Sequence, residues 1–179
     1  MEKLQKFTPE EIKVVNNAVA MAEEVVSNFY KMSVNQWLRL KYDIKTEVDL
    51  CRSEIVDGPF AQVIRYVGQR KNTSLGSSTY DFYKICLQDH SILSTIKRSP
   101  GLKLFPFVLY IVTHELIHII RFSRFLQSFD ASPEEKIAEE SRVHLKTHEI
   151  LSTVRLPGMA DVMKFYKKWR IPLDEFQNT

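Results

Sequence analysis

Apolar positions recur at helical spacing over most of the chain and at strand spacing only in its middle. Ile12, Val15, Val19, Ala22, Val26, Phe29 and Tyr30 form one stripe, as an amphipathic helix requires. Thr8-Pro9-Glu10-Glu11 supplies its start: a threonine cap, proline at the first helical position, and a glutamate closing a capping box. This helix is predicted to run to about Lys31, with Glu23 and Glu24 beside the stripe as a solvated face. Ser33 is a candidate cap for a second helix carrying Trp37, Leu38, Leu40, Tyr42 and Ile44. The next ten residues, EVDLCRSEIV, fit helix or extended chain equally. Asp57-Gly58-Pro59 is a firm break, so 1–58 reads as a helical N-terminal part.

After the break the period changes. Residues 60–67 and 80–87 are rich in β-branched and aromatic side chains, the composition of strands. They predict two strands of a small antiparallel sheet joined by a long polar connection over 68–78. Residues 88–97 suit a third strand or a short helix. His90, between Asp89 and Ser91, reads as exposed.

From Pro106 to Phe125 the pattern is different again: PFVLYIVTHELIHIIRFSRF is apolar on nearly every side. Within it His114-Glu115-Leu116-Ile117-His118 spells HExxH. Residues four apart share a helix face, so the two imidazoles can hold one ion while Glu115 reaches a water beside it. Buried polar groups need partners, and two histidines with a glutamate are a costly filling for a core helix. Arg121 and Arg124 fall at the helix C-terminus, where cations meet the negative end of the dipole and solvent.

The motif helix resembles that of the zincin metallopeptidases. The resemblance implies zinc, with His114 and His118 as ligands and Glu115 as general base. It also implies an α+β zincin-like fold, whose sheet offers an edge strand to an extended peptide. The metzincin form wants glycine and histidine where this chain has Arg121 and Arg124, so that subclass is excluded and a third ligand comes from elsewhere.

Ser132-Pro133-Glu134-Glu135 repeats the helix-start signal, opening a helix predicted to reach about Val154 before Pro157-Gly158. Ile137, Ser141, Leu145 and Leu151 are taken as its inward stripe, with Glu140, His144 and His148 on the same side and Glu139 turned away. In the gluzincin branch the third ligand is a glutamate on such a downstream helix, which the resemblance carries to Glu140. That family often has aspartate four residues later, and this chain has His144. His144 is therefore either the third ligand itself or, like His148, a hydrogen-bond donor to the oxyanion formed on attack.

The totals narrow the classes. A chain of 179 residues, 44% hydrophobic and 26% charged, suits one globular domain, 1–179, in which 59–179 holds the sheet and the site helices. A net charge of +3 does not call for nucleic acid, despite Lys164, Lys167, Lys168 and Arg170 among the aromatics of the tail. That tail is expected to form a short helix from Ala160 to Trp169. The start MEKLQKFTPEE lacks the apolar core of a secretory signal, no stretch reads as a membrane span, and Cys51 and Cys86 read as reduced core thiols. A cytoplasmic zinc-dependent hydrolase acting on peptide or protein substrates is the expectation. The rivals are a ferritin-like di-iron protein, using Glu115-x-x-His118 with Glu23 or Glu24, and a zincin-shaped interaction protein that cleaves nothing.

Overall fold

The computed structural model describes residues 4–69 and 79–170. Of the connection expected at 68–78, Gly68 and Gln69 belong to the end of a strand, while 70–78 and the last nine residues of the tail lie outside the described residues. The order is α1 (Pro9–Phe29), α2 (Val34–Leu38), β1 (Tyr42–Lys45), β2 (Ala61–Gln69), β3 (Thr79–Leu87), α3 (Asp89–Arg98), α4 (Leu104–Ser123), α5 (Pro133–Leu151) and α6 (Met159–Phe165). Short 3-10 turns span Glu47–Asp49, Arg52–Glu54 and Lys167–Trp169. The class is α+β.

Both capping boxes form, with Thr8 and Ser132 accepting from the backbone N–H groups of Glu11 and Glu135. Residues 89–98 resolve as helix, and α1 ends at Phe29, two residues short of Lys31. The second helix stops at Leu38. Tyr42 and Ile44 alternate with Lys41, Asp43 and Lys45 and form a strand instead, so 1–58 is not wholly helical. That strand also corrects the expected antiparallel sheet, which is mixed: the order is β1-β3-β2, with β2 antiparallel and β1 parallel to β3. Four half-buried residues carry too little pattern to show so distant a pairing.

The core is built on α4. From Pro106 to Ile120 every side chain except that of Glu115 is buried, with α1 packed along it and Tyr83, Ile85 and Leu87 of β3 in the same cluster. By length and composition α4 could cross a membrane, but most of it is covered by the rest of the fold. Cys86 is in the core as expected, whereas Cys51 is exposed. His90 is not free: its two ring nitrogens face Glu47 and Asp57, and its side chain is 13% accessible.

On α5 the inward face differs from the predicted one. Ile137 and Leu145 are exposed, while Glu139, Val143, His144, Thr147, Ile150 and Leu151 are buried. The reason is a partner that spacing alone cannot reveal. Glu139 pairs with Arg121 of α4 and with Arg142, whose Nη1 donates at 3.0 Å, so the carboxylate is neutralised inside the helix contact. Arg121 thus has an ion-pair partner rather than only the helix dipole, and Arg124 lies over the ring of Tyr30.

Candidate metal centre

The burial of α4 fixes the imidazoles of His114 and His118, one turn apart on the face turned toward α5, leaving them only 7% and 6% exposed. Their Nε2 atoms are 3.1 Å from each other. Glu140 of α5 reaches across, with Oε2 at 3.1 Å from His114 Nε2 and Oε1 at 3.0 Å from His118 Nε2. One ligand atom from each of the three residues lies within 4.8 Å of the other two. Ligands about 2.0–2.1 Å from a tetrahedral zinc sit roughly 3.3 Å apart, so these spacings are of the right size for one ion.

The surroundings bear on the fit. Gln127 Oε1 lies 2.9 Å from His118 Nδ1. A proton on Nδ1 is then donated to the amide oxygen, leaving Nε2 as the free donor atom, the usual support for a ligating histidine. His114 Nδ1 is buried without such a partner among the described residues. Two nitrogens and a carboxylate can hold a divalent transition-metal ion, zinc among them.

The three groups form the floor of a cleft of about 710 Å³. Its walls are Phe60, Ala61 and Val63 at the start of β2, Phe122, Gln127 and Phe129 after the motif, and Phe165, Tyr166 and Trp169 from α6 and the turn beyond. Glu115 lines the same cleft, and among the described residues its carboxylate is held by no hydrogen bond. Half of the Glu140 side chain is accessible from the cleft.

Electrostatics make the cluster a coupled unit. Burial alone would lower His118, but the Glu140 hydrogen bond and the charges of Glu115 and Glu140 outweigh it and lift the imidazole to about 9. Burial would likewise raise Glu140, yet hydrogen bonds to His114 and His118 hold its carboxyl far below the usual range. Glu115 is raised by burial, against the pull of the two histidines. His144 is depressed to about 3 by burial and next by the charge of His114. In the metal-free protein a proton on His118 therefore balances Glu140, and a divalent cation would replace that proton.

Of the six predicted site residues, His114, Glu115, His118, Glu140 and His144 meet at the cleft. His144 stands behind Glu140, with Nε2 at 3.8 Å from Oε2 and Nδ1 at 2.8 Å from the Tyr110 hydroxyl. His148 is not brought in; its Nδ1 lies 3.2 Å from Met163 Sδ. The sequence reading did not single out Tyr110, Gln127 or Tyr166. Tyr110 had a signal, standing one turn before His114 on the same helix face; Gln127 lies in irregular chain and had none.

No protein-family model, curated protein or solved structure matches the chain.

Proposed function

We propose that the protein is a metal-dependent hydrolase of peptide bonds, with zinc held by His114, His118 and Glu140 and Glu115 as general base. One observation carries this reading: the three donor groups converge on the floor of an open cleft beside the Glu115 carboxylate. Zinc, when bound, supplies a Lewis acid that polarises a carbonyl and brings the pKa of water down to about 7.

The chain's own residues supply the rest. Glu115 takes a proton from the attacking water onto its carboxylate and returns it to the leaving amide nitrogen. Its burial raises its proton affinity, as a residue that accepts and returns a proton near neutral pH requires. The edge strand β2 begins along one wall, so its backbone can pair with an extended peptide and bring a scissile bond over the floor. Phe60, Phe122 and Phe129 give that wall an apolar lining.

The ferritin-like alternative finds no support. The chain carries a three-stranded sheet, and Glu23 faces a different cavity, beside Tyr42. The hydrolase is tested with zinc-loaded protein on a library of quenched fluorescent peptides. Glu115→Gln is expected to keep one zinc per chain while the rate falls by roughly 10²- to 10⁴-fold. A zinc-loaded wild type that cleaves nothing leaves a metal-binding protein, and a Glu115→Gln variant of full activity removes Glu115 as the base.

A further inference from the structure

Tyr110 is wholly buried in α4, and a buried phenol must find an acceptor for its proton. Its hydroxyl lies 2.8 Å from His144 Nδ1. The phenol has one O–H proton to give. Tyr166 stacks on the phenol at 4.0 Å between ring centres and offers no in-plane acceptor. Among the described residues the only acceptor within reach is His144 Nδ1. Were Nδ1 itself protonated, two donors would face each other across 2.8 Å and the phenol proton would be orphaned in the core.

We propose that Tyr110 locks His144 in the tautomer protonated at Nε2, so that it meets the His114–His118–Glu140 cluster as a hydrogen-bond donor and not as a fourth ligand. The Nε2–H then points toward Glu140 Oε2, 3.8 Å away, and toward the cleft. A neutral histidine with the opposite tautomer would present a lone pair there, ring to ring with His114 at 4.2 Å. Four protein ligands make a closed, structural zinc site, whereas three leave a position for substrate chemistry. The direction of the Tyr110–His144 hydrogen bond thus decides which kind of centre the same four residues form. Tyr110 is a positioning residue in this scheme. Its consequence for the centre rests on the zinc reading above; the tautomer itself does not.

The test is long-range ¹H–¹⁵N correlation of the histidine side chains in the full chain, first without metal. The wild type is expected to show His144 protonated at Nε2 only. Tyr110→Phe removes the donor and should bring in the Nδ1-protonated form as a second population. The wild-type tautomer decides the question by itself if the buried substitution fails to fold. A wild-type His144 protonated at Nδ1, or a tautomer unchanged in the folded variant, overturns the lock. Zinc is then added to the wild type. His114 and His118 are expected to show coordinated nitrogens while His144 keeps its Nε2 proton; loss of that proton makes His144 a ligand and overturns the proposal. If no histidine nitrogen responds to zinc, the zinc reading fails on its own, and the metal-free tautomer still decides for or against the lock.

Discussion

Glu139 precedes the candidate ligand Glu140 by one residue, yet it does a different job, and removing it should show how the site is held. Its carboxylate is 7% accessible and paired with Arg121 of α4 and Arg142 of α5. Breaking a buried pair by deleting one partner costs about 3–5 kcal/mol, because the other charge is left uncompensated. Here Arg121 is 23% and Arg142 51% accessible, so water recovers part of the loss. Glu139→Ala should therefore destabilise the protein by about 3 kcal/mol, the low end of that range. For a chain of this size that is a fall in Tm of roughly 6–12 °C. Arg142→Ala, cutting only the half-exposed arm, should cost under about 1 kcal/mol. Because the clamp orients the turn of α5 that carries Glu140, Glu139→Ala should also weaken zinc binding by about 10- to 100-fold without deleting a ligand. Urea denaturation gives the stability, and competition with a chromophoric chelator gives the affinity. A stability loss below 1 kcal/mol together with unchanged zinc affinity would refute the clamp.

Three further outcomes follow from single contacts. Glu54 accepts from Lys84 Nζ at 2.7 Å, Tyr66 Oη at 2.8 Å and the Cys51 backbone, and the Lys84 bond foremost holds its carboxyl down at about 2. Such a depressed group stabilises the fold above its unfolded value of about 4.5 and ceases to do so as pH falls toward 2; near the surface, screening reduces the effect to about 1–2 kcal/mol. Urea titrations of Glu54→Gln should show that deficit at pH 7 and none at pH 2, and parallel curves would refute the assignment. Leu116→Ala, at a fully buried position of α4, should cost about 2–5 kcal/mol by the same assay, and a loss under 1 kcal/mol would deny α4 its central place. Gln127→Ala removes the acceptor for His118 Nδ1 and should weaken zinc about 10- to 100-fold in the chelator competition; equal affinity would show that Gln127 does not orient the ring.

The local signals in the sequence were reliable because their causes are local. Thr8 with Glu11, and Ser132 with Glu135, satisfy backbone groups three residues away, so the helix starts could be read directly. HExxH could be read because its geometry lies within two turns of one helix. What failed depends on contacts between distant segments. Tyr42 and Ile44 become a strand through β3, some forty residues on. The rotation of α5 is not legible in its own sequence, because Ile137 and Leu145 look like core residues and Glu139 does not, until Arg121 is placed opposite. Glu140 and His144 still read as inner-side residues, since they flank the true stripe of Val143, Thr147 and Ile150.

That rotation is the physical hinge of the site. Glu139 and Glu140 are chemically alike and about 100° apart around the helix, so a turn of α5 by one residue would exchange them. Apolar packing alone selects poorly between the two settings, because exposed Ile137 and Leu145 show that α5 does not bury all its large apolar side chains. The charge opposite each carboxylate does select. Arg121, at the C-terminal end of α4, takes Glu139, and the imidazoles one and two turns earlier are left facing Glu140. Exchanging the two settings would set Glu139 toward the histidines and leave Arg121 without its buried partner. The last turn of the motif helix thus fixes which glutamate of the next helix faces its two histidines, and it does so before any cation binds.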